Sequence, residues 1–126
     1  LNVGMALDHV TRGDSGEANR DHATAVGLYA SFAATEKLTL HTRGEWAKIR
    51  SGGAQFGGGA SGVPHEVVAL TATAQYDLWA NVISRLEVRW DTSISGPRVF
   101  GDGATVANPS SEKNSVLIAA NVIYQF

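Results

Sequence analysis

Along most of this chain apolar and polar side chains alternate with period two, the spacing that sends successive residues of a β-strand to opposite faces. The clearest case is the last stretch, Asn114 to Phe126. Val116, Ile118, Ala120, Val122, Tyr124 and Phe126 share one face, while Ser115, Leu117, Ala119, Asn121, Ile123 and Gln125 share the other. The first face is wholly apolar and ends in two rings. A soluble domain seldom finishes on such a strand, because an exposed edge invites aggregation and a terminus usually frays into water. A strand that meets lipid has the opposite need: hydrocarbon along its outer face and aromatics at the membrane interface.

The same alternation recurs upstream and predicts five more strands. Leu1, Val3, Met5 and Leu7 alternate with Asn2, Gly4, Ala6 and Asp8, and Asp8 to Asp21 then reads as a polar loop. His22 to Ala34 places Val26, Leu28, Ala30 and Phe32 opposite Ala25, Gly27, Tyr29 and Ser31, before a short turn ending at Lys37. Leu38 to Ile49 sets Leu38, Leu40, Thr42, Gly44 and Trp46 against Thr39, His41, Arg43 and Glu45. Ser51 to Pro64 is a Gly-rich loop. Glu66 to Tyr76 alternates again, Asp77 to Asn81 turns it, and Val82 to Thr92 collects Arg85, Glu87, Arg89 and Asp91 on one parity against Val82, Leu86, Val88 and Trp90. Ser93 to Lys113, punctuated by Gly96-Pro97, Gly101-Asp102-Gly103 and Asn108-Pro109, is the longest loop. Helical periodicity appears nowhere.

Connections therefore run long, short, long, short, long, which gathers the short turns at one end of an up-and-down sheet. Bacterial outer-membrane barrels have short periplasmic turns and long extracellular loops, so the expected orientation puts Phe126 at the periplasmic side. A hairpin echo at constant offset supports repetition: Phe32, Arg43, Glu45 and Trp46 match Tyr76, Glu87, Arg89 and Trp90. The rings form two girdles on the apolar face, Phe32, Tyr76, Tyr124 and Phe126 toward the short turns and Trp46 and Trp90 toward the long loops. From Leu38 to Trp46 the strand climbs roughly 26 Å, or about 20 Å of height at a tilt near 40°. That approaches the apolar band of a membrane barrel. In a soluble sandwich, large rings would sit mid-strand instead.

Composition alone would not reveal this, since 44% hydrophobic content is ordinary for a soluble protein and only every second barrel residue faces lipid. A net charge of -2 offers nothing that would attract nucleic acid. The chain has no cysteine, which removes disulfides and thiolate metal sites. No apolar run is long enough for a transmembrane helix. The chain opens on Leu1 already alternating, which leads us to expect further N-terminal strands.

The segment Gln75 to Asp91, with Val122-Ile123-Tyr124-Gln125-Phe126, resembles the C-terminal part of OmpL-like outer-membrane β-barrel porins. The closing aromatic with apolar residues at alternate positions also resembles the signal read by the outer-membrane assembly machinery. The resemblance implies a β-barrel wall and passive diffusion of small hydrophilic solutes. Six strands fall short of the usual minimum of eight. The expected fold is therefore all-β: an antiparallel up-and-down transmembrane β-barrel, of which residues 1–126 are the six C-terminal strands and one part of a single domain.

The candidate pore-lining residues are His41, Arg43, Glu45, Arg85, Glu87, Arg89 and Asp91, because a single Arg facing lipid near the midplane costs about 2–4 kcal/mol. As a pore lining or as a salt-bridge ladder they must face away from lipid, and their mixed signs argue against a strongly selective ring. The alternative is a sheath or scaffold whose lumen is filled by a partner or plug. His9, His22, His41 and His65 lack metal-ligand spacing, no nucleophile is set beside a base, and Gly57-Gly58-Gly59 lacks a phosphate loop's Lys-Ser/Thr; no catalytic residue, metal or cofactor is expected. Expected partners are the lipid bilayer and lipopolysaccharide, the assembly machinery, the missing strands of the same barrel, and further copies in a homo-oligomer, with no nucleic acid. If each short turn spans five residues, Arg43 should face Gly27, Glu45 Ala25, Arg85 Thr73, Glu87 Thr71 and Arg89 Ala69.

Overall fold

A computed structural model of the protein describes residues 1–12, 21–50, 66–96, 98, 100–101 and 111–126. They form six strands: β1 (Asn2–Arg12), β2 (Asp21–Ala33), β3 (Leu38–Arg50), β4 (Glu66–Trp79), β5 (Val82–Ser95) and β6 (Asn114–Tyr124). The strands build one sheet in chain order, each antiparallel to the next. Strand lengths of 11 to 14 residues reach or exceed the 9–11 that a tilted strand needs to cross a membrane. Among the described residues β1 and β6 pair only inward, so the sheet has two open edges.

Among the described residues no apolar core closes over either face, and Ala69, at 5% exposure, is the one buried apolar side chain, whereas Leu7, Leu28, Phe32, Leu70, Leu86 and Ile118 stand exposed on a single side. Such a surface is stable against hydrocarbon and costly against water, at about 25 cal/mol per Å² of apolar area.

Pairing carries several strands beyond their sequence boundaries. The expected loop beginning at Asp8 starts later, because Asp8 to Arg12 pair with Ala25 to Asp21 and ladder hydrogen bonds override their polar composition. β5 likewise continues to Ser95, and Ser93 N–H donates to the Lys113 carbonyl at 2.8 Å. Phe100 and Glu112 form an isolated bridge inside the expected Ser93–Lys113 loop. The Ser51–Pro64 loop with its Gly57-Gly58-Gly59 run, His65, and the Asp102-Gly103 and Asn108-Pro109 turns lie outside the described residues.

The expected register is corrected by two residues in both hairpins. In the first, Ala34 N and Thr35 N donate to the Leu38 carbonyl (2.8 and 3.2 Å), and the Thr35 hydroxyl accepts from Lys37 N and Leu38 N. These bonds place the reversal at Ala34–Leu38, one position later than expected, and Ala33–Thr39 becomes the first ladder pair. In the second, the chain reverses over Ala80 and Asn81 alone, with Trp79 opposite Val82 and Leu78 inserted as a bulge. Arg43 therefore faces Tyr29 and Glu45 faces Gly27; Arg85 faces Gln75, Glu87 faces Thr73 and Arg89 faces Thr71. An even shift leaves every side chain on its expected face.

Candidate functional site

Arg43 and Glu45 of β3 and the charged side chains of β5 share one face, with the small or neutral residues of β4 between them, while Lys48 lies on the opposite face. One rung of facing residues runs Gly4, Tyr29, Arg43, Thr71, Arg89, Leu117, and the next toward the long loops runs Ala6, Gly27, Glu45, Ala69, Asp91, Ser115. On the other side the rung is Asn2, Ser31, His41, Thr73, Glu87, Ala119, followed by Thr39, Gln75, Arg85 and Asn121. The seven candidate lining residues thus occupy one face and four consecutive rungs. Asp8 joins that face from β1, and a shallow hollow lies between Asp8, Tyr29, Glu45 and Arg89.

Most of these charges are held along their own strand. Arg89 gives Asp91 three hydrogen bonds of 2.9–3.0 Å, and Arg43 Nη2 lies 2.8 Å from Glu45 Oε2. Both pairs join residues two apart, whose side chains stand side by side on one face. Glu87 accepts from the Thr73 hydroxyl at 3.0 Å, and Arg85 Nε donates to Gln75 Oε1 at 2.9 Å. Arg43 Nε and Thr71 Oγ1 are buried without a hydrogen-bond partner. The wall is therefore charged, of mixed sign and pre-ordered. Sequence reasoning did not foresee Gln75 and Thr73 as orienting partners, because they become neighbours only in the observed register.

The opposite face carries the rings. Phe32, Tyr76, Trp90 and Tyr124 are exposed on it, Trp46 is half-buried, and Phe126 follows the end of β6 with its ring 6.4 Å from that of Tyr124. Trp79, 71% exposed, belongs there too. By simple alternation it would point with Asp77 to the charged face, but the Leu78 bulge pairs it with Val82 and turns it outward. Toward the long-loop end, Trp46 Nε1 donates to Glu66 Oε1 at 2.7 Å.

The rings descend as a staircase. Phe32 faces Leu40, which faces Ala74, so Tyr76 lies two residues nearer the short turns than the position level with Phe32 on β4. Tyr124 repeats the step, since Tyr76 faces Ser84 and Ser84 faces Val122. Trp46 faces Val68, which faces Thr92, and Trp90 is again two residues lower. Two residues, about 6.6 Å, over two strand spacings of about 4.8 Å correspond to a strand tilt of about 35°. Strands of a closed barrel lean by that amount, so each girdle becomes level once the sheet is tilted.

Among the described residues no group of three or more His, Asp or Glu is placed to hold a metal. His41 lies on the charged face, His9 and His22 on the outer one.

A sheet of membrane-length strands, ringed by aromatics on one face and lined with ordered charges on the other, is the wall of a transmembrane β-barrel of the porin class. Residues 1–126 match the family described as putative beta-barrel porin-2, OmpL-like, and the chain belongs to it. Membership assigns porin-class transport and the bacterial outer membrane. No curated protein and no solved structure matches the chain.

Proposed function

We propose that the six strands form part of the wall of a larger barrel whose charged face lines a water-filled lumen, through which small hydrophilic solutes or ions diffuse passively. The observation that carries this is the segregation itself: Arg43, Glu45, Arg85, Glu87, Arg89 and Asp91 all lie opposite the aromatic face. Ion pairs along β3 and β5 keep charged heads against the wall, which leaves the space in front of them to water. The short reversals at Ala34–Leu38 and Ala80–Asn81 take the periplasmic end, and β6 descends toward it, so the C-terminus is periplasmic. The open edges of β1 and β6 require further strands, because hydrocarbon leaves unpaired backbone groups unsatisfied at several kcal/mol each. The function of this wall is conduction and not catalysis.

Conductance of the full-length protein in a planar bilayer tests the proposal. Discrete open steps in potassium chloride are expected. A folded, inserted protein without conductance would replace the open pore by the sheath, with its lumen filled.

A further inference from the structure

The charges around the hollow on the charged face do not cancel. Arg43 and Glu45 pair at 2.8 Å, and Arg89 gives its three hydrogen bonds to Asp91, so each of these couples is neutral. Asp8 is left over. Among the described residues its carboxylate has no hydrogen-bond or ion-pair partner, and it stands exposed. The register sets what lies beside it. Asp8 faces Ala25, which faces Ala47, and one rung toward the short turns Gly27 faces Glu45, which faces Ala69. Small residues therefore floor the space between Asp8 and Glu45, and the hollow over them measures about 210 Å³.

Tyr29 supplies one wall of this space. Its hydroxyl lies over Gly27, so the ring reaches one rung above its own position, and the residue stays 38% exposed. Asp8 and Gly27 are diagonal neighbours across β1 and β2, about 7–8 Å apart, which sets the free carboxylate beside that ring. Glu45 meets Arg43 through Oε2 and keeps Oε1 as a further acceptor.

We infer that the hollow binds small organic ammonium ions, with Asp8 as counter-ion, the Tyr29 ring as a cation–π platform and the alanine floor against the carbon chain. The site rests on the water-filled lumen proposed above, which is what opens this face to solutes. An unpaired carboxylate selects a cation, and the rest of the lining selects an organic one. The face of an aromatic ring attracts an ammonium through its quadrupole. Ala25, Ala47 and Ala69 take apolar carbon out of water, from which a hydrated inorganic ion gains nothing. Two carboxylates and a phenol also fall short of the about six to eight oxygens that calcium takes. The volume lies below the about 300–1,000 Å³ of pockets for drug-sized ligands, which restricts the guest to a few heavy atoms.

The test uses the full-length protein, shown by circular dichroism to be folded in a neutral detergent, with n-butylammonium as the probe. Binding above that of protein-free micelles is followed by saturation-transfer NMR, with n-butanol and butyrate as neutral and anionic probes of the same length. Butylammonium should bind and the other two should not. Asp8→Asn should weaken it roughly tenfold and Tyr29→Leu roughly threefold, while Asp8→Glu stays within about threefold of the parent. Asp77→Asn removes a carboxylate from the same face at the short-turn end and should stay within about twofold. Equal binding of butanol, or parent-like binding by Asp8→Asn, overturns the site. So does a loss in Asp77→Asn as large as that in Asp8→Asn, which would mean diffuse attraction by the whole wall. In parallel, the current through planar bilayers is recorded in potassium chloride. A conducting protein that binds butylammonium independently of Asp8 keeps the pore and loses the site; Asp8-dependent binding by a folded, inserted protein that does not conduct keeps the site and loses the open pore.

Discussion

Arg89 stands two strands from Glu45 and, in the tilted sheet, at the same height with the opposite sign. The rung of Glu45 reaches Asp91 on β5, and Arg89 is the residue two steps below, the same offset that separates Trp46 from Trp90. Arg43 and Glu87 repeat the relationship with the signs exchanged. β3 and β5 contribute one positive and one negative group at each of these heights, and Asp8 on β1 adds a second carboxylate level with Glu45 and Arg89. The field of the wall is patterned locally and close to neutral over the stretch as a whole, which fits weak selectivity.

Removing one sign from this balance should be visible electrically. Arg85→Ala and Arg89→Ala together subtract two positive charges, and Arg89→Ala frees the Asp91 carboxylate that now accepts three hydrogen bonds. The reversal potential under a salt gradient should move toward cation preference. Asp91→Asn should move it toward anions, and Arg89→Ala combined with Asp91→Ala should bring it back near the parent value. An open channel in which none of these shifts the potential would place the charges away from the conducting path.

Gly27 and Gly4 make a matched pair for stability. A Cβ on Gly27 would meet the Tyr29 hydroxyl at 2.8 Å and ring carbons at 3.1 Å, because the Tyr29 ring lies over Gly27 on the charged face, whereas a Cβ on Gly4 would meet nothing within 4 Å. An aromatic laid over a glycine covers backbone that would otherwise lack a side chain. Gly27→Ala is expected to destabilise the folded barrel by about 1–3 kcal/mol, while Gly4→Ala stays within about 0.5 kcal/mol. Denaturant unfolding of the full-length protein in lipid vesicles gives both numbers, and Gly27→Ala with Tyr29→Ala should lose less than the sum of the two single changes. An unaffected Gly27→Ala protein would contradict the packing.

Trp79 tests the bulge. In a protein carrying Trp46→Phe and Trp90→Phe, with any tryptophan outside residues 1–126 also replaced, Trp79 is the remaining indole. Its fluorescence should be quenched by lipids brominated on the acyl chains, more strongly than by a water-soluble quencher. Deleting Leu78 removes the bulge and makes Trp79 the direct successor of Asp77, so the ring should stay on the lipid side and that order should persist, whereas one residue inserted beside Leu78 should reverse it. Lipid-insensitive fluorescence before the deletion would mean that the ring points to the lumen.

Six strands, their order and both faces were legible in the sequence because period-two alternation is set by a residue's own polarity and survives any even slip in register. Arg85, Glu87, Arg89 and Asp91 could be assigned to one face without knowing what they oppose. Their partners could not be read so, because register depends on how each turn spends its hydrogen bonds. The Thr35 hydroxyl moves the first reversal by one position, and a two-residue turn plus the Leu78 bulge reshapes the second. Trp79 was missed for the same reason, since one inserted residue inverts parity.

The central claim is that the odd-numbered residues of β5 face water and the even-numbered ones face lipid. Because residues 1–126 have no cysteine, single substitutions among them report one position each once any cysteine elsewhere in the full-length protein has been replaced. Cysteine is placed in turn at Arg85, Leu86, Glu87, Val88, Arg89 and Trp90 of the full-length protein, and a membrane-impermeant charged thiol reagent is added while single-channel current is recorded. The account predicts that Arg85→Cys, Glu87→Cys and Arg89→Cys react and change the conductance, while Leu86→Cys, Val88→Cys and Trp90→Cys do not. Reaction at the even positions, or a response without alternation along β5, would contradict it.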